Sequence, residues 1–206
     1  KTVALAHHFD VHMPKDPLCD ICTDAKSRRN TKQPQLDRPQ FGTGAMLDIG
    51  IDPVGPLPVD IDGNQWVLNG VEVKHGLGAA RASPGKTVSQ LLPLVQEIVA
   101  EIRGHCGLGQ QVLLRVHSDV DQSLLGEITT WVQSQSGIRT TTEGYDHDGN
   151  SFVENRNAKM KQTMRACLLG ATGGRKQYEE IAIPACLHAV SSFKYVEEAG
   201  DKSPVE

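Results

Sequence analysis

The sequence predicts an α/β fold, a mixed sheet flanked by helices, preceded by a small segment of different texture. Three observations carry this expectation. Three strand-like segments follow one another between residues 45 and 82. Helical and strand periodicities then alternate along the rest of the chain, as a layered α/β domain requires. The first 30 residues have little hydrophobic periodicity and are dense in His, Asp and Cys. They cannot form a core of their own. The 206-residue chain is nevertheless long enough to bury one without disulfides. With 38% apolar and only 4% aromatic residues, that core must be mostly aliphatic.

Residues 1–30 form the His/Cys-rich segment, and residues 31–44, polar and Pro-bearing, read as a linker. The main domain is expected from 45 to 206. Residues 45–52 make a first strand, ended by Gly55-Pro56-Leu57-Pro58. Asp60 to Asn64 form a hairpin turn. Residues 65–73 make a second strand and 76–82 a third. Val88, Leu91, Leu92, Val95, Ile98, Val99 and Ile102 recur at helical spacing over 87–103. Residues 111–117 are a short apolar run that suits a buried strand. A helix over 122–136 and a β-branched strand over 138–142 follow. A polar loop from Gly144 to Gly149 precedes a helix over 151–171, whose apolar stripe is Val153, Met160, Met164, Cys167, Leu168 and Ala171. A last helix is expected over 176–193, interrupted near Pro184.

No apolar run approaches the roughly 18 residues that a membrane helix needs. The chain opens at Lys1, which suggests a piece of a longer polyprotein. The five cysteines are an odd number, which argues against a disulfide framework. Cys106, Cys167 and Cys186 read as small buried hydrophobes. The formal net charge of −4 speaks against nucleic-acid binding, but its distribution does not. Residues 151–175 carry five Lys/Arg against one acid, Glu154, whereas residues 46–150 carry six against thirteen. Basic charge is thus local, as a phosphate backbone requires, and acid accumulates elsewhere.

His8-x3-His12-x6-Cys19-x2-Cys22 offers two imidazoles and two thiolates, the donor set of a tetrahedral Zn²⁺ site with no open position. His7 is sterically able to replace His8. Such a site explains how a segment without a core folds. Lys26, Arg28 and Arg29 follow directly and are candidates for phosphate contacts.

Three acids form a second constellation. Asp52 ends the first strand, Asp119 follows the 111–117 strand, and Glu154 opens the long helix. Carboxylates at neighbouring strand ends and a helix start can converge on Mg²⁺, which takes oxygen donors. On that helix Glu154, Lys161 and Arg165 fall on one line off the apolar stripe, flanked by Asn157 and Lys159. Asp48 lies four residues before Asp52 on the same strand face and is the alternative first carboxylate. Pro53 would remove a ladder donor from any strand that is not at an edge. The remaining histidines read as structural or surface, His147 least securely, and Trp66 and Trp131 as core.

Several segments together resemble integrases of copia-type LTR retrotransposons. His8 to Cys22, followed by Ala25-Lys26, resembles their HHCC knuckle. Asp52-Pro53-Val54-Gly55-Pro56-Leu57 resembles their opening strand, and His117-Ser118-Asp119 their second-aspartate strand. Gly137-Ile138 to Gly144-Tyr145, then Asn150 to Glu154, resembles the run that carries the third acid, 35 positions after Asp119. Ser203-Pro204-Val205-Glu206 resembles the close of the core. Asp121 departs from the pattern, standing where the family usually has Gly.

The resemblance implies an RNase H-like fold and Mg²⁺- or Mn²⁺-dependent 3′-end processing and strand transfer of element DNA. It implies Asp52, Asp119 and Glu154 as the catalytic trio. It also implies structural Zn²⁺ on His8, His12, Cys19 and Cys22, and backbone contacts from Lys159, Lys161 and Arg165. DNA and further copies of the chain are the expected partners, no membrane is involved, and element particles and the nucleus are the expected places. Two other readings use the same residues: an inactive nucleic-acid-binding module from a decayed element, and a nuclease of the same fold.

Overall fold

The computed structural model describes residue 19 and residues 46–73, 76–106, 112–119, 126–141, 151–172 and 179–193. Five strands, β1 (Met46–Val54), β2 (Trp66–Glu72), β3 (Gly78–Ser83), β4 (Leu113–Ser118) and β5 (Ile138–Thr141), form one sheet in the order β3-β2-β1-β4-β5. β1, β2 and β3 pair antiparallel, and β1, β4 and β5 pair parallel. Among the described residues four α-helices accompany them: α1 (Val88–His105), α2 (Glu127–Ser134), α3 (Ser151–Thr172) and α4 (Ala182–Phe193). A mixed sheet flanked by helices is the expected α/β class, and it is compatible with an RNase H-like fold. Among the described residues, no helix is long and apolar enough to cross a membrane.

Side-chain alternation along β1 divides the core. Leu47, Ile49 and Ile51 are fully buried and pack with Leu91, Val95 and Ile98 of α1 and with Ile128 and Val132 of α2. Val54 belongs to the second cluster, with Met160 and Met164 of α3 and Ile183, Cys186 and Val190 of α4. β1 is therefore covered on both faces, which is why it is expected to be apolar on both. The polar exceptions on its α3 face, Asp48 and Asp52, stand out for that reason.

Local chemistry sets the boundaries. The Gln90 side-chain oxygen accepts from the Thr87 N–H at 3.3 Å and from its hydroxyl at 2.8 Å, capping the start of α1. In the β1–β2 connection the Asp60 carboxylate accepts from the N–H groups of Asp62 and Asn64 and from the Asn64 amide, closing the expected turn. The Asn64 amide bond holds the Asp60 carboxyl below its usual range.

Two glycines set how closely helices approach the sheet. A Cβ at Gly70 would collide with Ile98 of α1, and one at Gly50 would collide with Phe152 and Val153 of α3. The two occupy adjacent rungs, since Gly50 pairs with Val71 and Ile51 with Gly70. Each therefore admits a helix onto an opposite face of the sheet centre.

Several expectations need correction. β1 continues through Pro53 and Val54, beyond the expected end at residue 52. Pro53 is tolerated there because β1 pairs with β4 only as far as Ile51, so no β4 partner lies beside it. Pro184 does not interrupt the last helix. It is the third residue of α4, in the first turn, where a missing N–H costs little. Residues 179–181 form a 3-10 turn before that helix. Ala171 is exposed and no part of the apolar stripe of α3. Among the described cysteines only Cys186 is buried; Cys106 and Cys167 are half-buried. Trp66 and Trp131 are half-buried; Trp131 packs against the core as expected, and the Lys86 ammonium lies 5.3 Å from the Trp66 ring centre.

Candidate functional site

The strand register brings the first two acids together. Ile51 and Ser118 are the last partners of the parallel β1/β4 pair. Asp52 and Asp119 are the next residue on each strand, so they emerge side by side at the carboxyl ends of neighbouring strands. Asp52 is half-buried and Asp119 exposed. Glu154, exposed in the first turn of α3, arrives from the third element. It is delivered there because Phe152 and Val153 rest on Gly50, two residues before Asp52 on the same face of β1. A glycine in a central strand thus fixes the distance between the helix-borne acid and the strand-borne one.

The electrostatics report the same convergence. The Asp52 carboxyl is pushed up to about 6, first by burial and then by the neighbouring charge of Asp119, with Glu154 adding to the effect. An Asn157 hydrogen bond and the Lys161 ammonium act in the opposite direction. Asn157 Nδ2 donates to Asp52 Oδ2 at 2.6 Å, and Asn157 Oδ1 accepts from Asn69 Nδ2 at 2.7 Å. Asn69 is paired with Asp52 across the β1/β2 ladder and is fully buried. Its own Oδ1 accepts no hydrogen bond from the described residues, an arrangement that ordinarily costs about 1–3 kcal/mol.

Asp48 has a different environment. Arg115, its rung partner on β4, grips both carboxylate oxygens, with Nε donating to Oδ1 at 3.0 Å and Nη2 to Oδ2. The two side chains are 6% and 19% exposed. Asp52 is therefore the β1 acid that feels Asp119 and Glu154, and Asp48 is committed to a buried ion pair.

The donors are carboxylate oxygens, the kind that Mg²⁺ and Mn²⁺ take. Among the described residues no three His, Cys, Asp or Glu side chains come close enough to share a single ion. The fit is therefore one of donor kind and of pairing, Asp52 with each of its two acidic neighbours. Such pairing suits a cation that retains waters and substrate phosphates as ligands.

Lys159, Lys161 and Arg165 are all exposed on α3, and Lys161 lies near enough to Asp52 to lower its pKa. Of the expected zinc ligands only Cys19, half-buried, is described. His7, His8, His12 and Cys22, the cations Lys26, Arg28 and Arg29, and His147 lie outside the described residues. His117 is half-buried, with Nδ1 2.8 Å from the Thr140 hydroxyl, and His105 lies 3.6 Å from Glu101.

Sequence reasoning missed Asn69 and underrated Asn157. The signal for Asn69 was an amide in the middle of the apolar strand 65–73. Asn157, placed on the flank of the cationic line, is 5% exposed and belongs to the buried face of α3.

No family model and no curated protein matches this sequence. Among solved structures it is similar to a chain from the cryo-EM structure of the simian T-cell lymphotropic virus intasome in complex with PP2A regulatory subunit B56 gamma. The TM-score is 0.52 at 14% identity, over 93% of this chain and 60% of that one. The chain thus spans less than two thirds of its neighbour's length and shares its fold.

Proposed function

We propose that this chain is the zinc-knuckle and catalytic-core part of a copia-type retrotransposon integrase, which processes element DNA ends and joins them to target DNA. The observation that carries the proposal is the half-buried Asp52 carboxyl. It is raised to about 6 first by burial and then by Asp119 and Glu154 beside it, at the carboxyl ends of two parallel strands and the start of a helix. The fold likeness to a chain of a retroviral intasome supports the reading, as do the HHCC spacing and the 35-residue interval from Asp119 to Glu154.

In this reading water first attacks a phosphodiester near the element end. The new P–O bond forms as the bond to the departing 3′ oxygen breaks. The freed 3′-hydroxyl then attacks a target phosphodiester in the same way. Mg²⁺ or Mn²⁺, when bound, supplies positive charge at the attacking and leaving oxygens. Asp52, with Oδ2 tied to Asn157, would offer its other oxygen to such an ion, and Asp119 and Glu154 would complete the pairs. Lys161, Lys159 and Arg165 would hold backbone phosphates and so fix the register of the DNA without reading its sequence. His8, His12, Cys19 and Cys22 would fold the N-terminal segment around Zn²⁺.

The test is strand transfer on an oligonucleotide that mimics an element end, with Mg²⁺ or Mn²⁺. Joined product is expected from the wild-type chain and none from Glu154→Gln or Asp119→Asn. Cleavage without joining would replace the reading by a nuclease of the same fold. DNA binding that is indifferent to divalent metal, with no product, would replace it by an inactive binding module.

A further inference from the structure

We infer that Asn69 is a positioning residue for the Asp52 carboxylate, acting through the amide of Asn157. The inference rests on the reading of Asp52 as a cation ligand. It concerns what sets the direction in which that ligand is held.

The chain of contacts is short and has one polarity. An ionised carboxylate only accepts, so the group of Asn157 that meets Asp52 Oδ2 must be its NH₂. The other end of the same amide is then an acceptor and needs a donor. Asn69 Nδ2 supplies it at 2.7 Å. Without that donor the two orientations of the Asn157 amide differ at one end only. With it, a flip of Asn157 alone sets oxygen against carboxylate and NH₂ against NH₂, so both ends oppose that flip.

Two observations mark Asn69 as placed for this role. It is 0% exposed in the middle of β2, on the rung directly opposite Asp52, so β-sheet geometry holds its side chain beside the site. Turning its NH₂ toward Asn157 also leaves its Oδ1 with no donor among the described residues. A residue selected for packing alone would not carry that cost, and an apolar side chain would avoid it. The consequence for Asp52 is asymmetric: Oδ2 is occupied, Oδ1 is left to ligate, and rotation of the carboxylate is restrained. Outer partners of a metal ligand act in this way, and their loss weakens metal affinity by roughly 10- to 100-fold.

The experiment uses the full chain with Asn69→Leu, which keeps branching at the γ carbon without the amide, and with Asn69→Ala in case leucine disturbs the strand. Two quantities are read: Mn²⁺ affinity by calorimetry, and proton exchange of the Asn157 side-chain NH₂ by NMR without metal. The expected result is a folded protein with an unchanged or raised melting temperature, Mn²⁺ binding about 10-fold weaker, and faster exchange of the Asn157 amide protons. Wild-type exchange in both folded variants would overturn the inference. That readout needs no ion, so it decides on Asn69 even if Mn²⁺ binding fails to depend on Asp52. Such independence from Asp52 would overturn the reading of the carboxylates as ligands.

Discussion

Asp52→Asn should make the metal-free protein more stable at neutral pH, although it removes the acid on which the proposed activity turns. The Asp52 carboxyl is raised from 3.8 to about 6 on folding. Below 3.8 both folded and unfolded chains hold the proton, and ionisation costs nothing. Between 3.8 and 6 the unfolded chain releases the proton more readily, so stability falls as pH rises through this window. Above 6 the full penalty applies, about 1.4 kcal/mol per unit and so about 3 kcal/mol in all. Asparagine has no charge to penalise and can still meet Asn157. Urea denaturation in EDTA should show Asp52→Asn more stable than wild type by about 2–3 kcal/mol at pH 7.5, with the difference gone near pH 3.5. On heating, the gain corresponds to roughly 4–12 °C for a domain of this size. Millimolar Mn²⁺ should narrow the gap by stabilising only the wild type. A variant less stable than wild type at pH 7.5, or a difference that ignores pH, would refute the claim that burial and clustered negative charge raise Asp52.

Other predictions follow from neighbouring residues. Asp48→Asn removes the carboxylate charge that the half-buried Arg115 guanidinium grips through two donors and should cost about 3–5 kcal/mol in denaturation, opposite in sign to Asp52→Asn. Gly50→Ala forces Phe152 and Val153 away from β1. It should reduce strand transfer at least 10-fold with circular dichroism preserved, and wild-type activity would show that this contact does not place Glu154. Chelation of zinc, or Cys22→Ser, should release one Zn²⁺ per chain by atomic absorption and increase protease cleavage within residues 1–30. The zinc proposal fails if purified protein contains no zinc.

Much of the fold was legible because burial left a periodic trace. Leu91, Val95, Ile98 and Ile102 announced α1, and residues 111–117 announced β4, because each must cover a sheet face. The end of β1 was harder to read. Pro53 argues against a central strand, and only the β1/β4 register shows that β1 has outrun its neighbour at that point. Pro184 misled for a related reason, since its effect depends on whether it falls in the first turn or later, and composition does not fix the helix start. In the site, the acids were visible because Asp52, Asp119 and Glu154 fall at predicted element ends. The choice between Asp48 and Asp52 was not visible, because both lie on one face of β1 and the deciding partner, Arg115, is 67 residues away. Asn69 and Asn157 were hidden for the same reason, being joined across 88 residues by a contact that no local spacing encodes.

Mn²⁺ titration of the full chain, wild type against Asp52→Asn, Asp119→Asn and Glu154→Gln taken singly, tests the convergence of the three acids most directly. If Asp52 holds cations in pairs with Asp119 and with Glu154, each substitution weakens Mn²⁺ binding at least 10-fold while Asp48→Glu, which keeps a carboxylate for Arg115, does not. Binding that survives both Asp119→Asn and Glu154→Gln would contradict it, and would leave Asp52 a buried acid with charged neighbours and no shared ion.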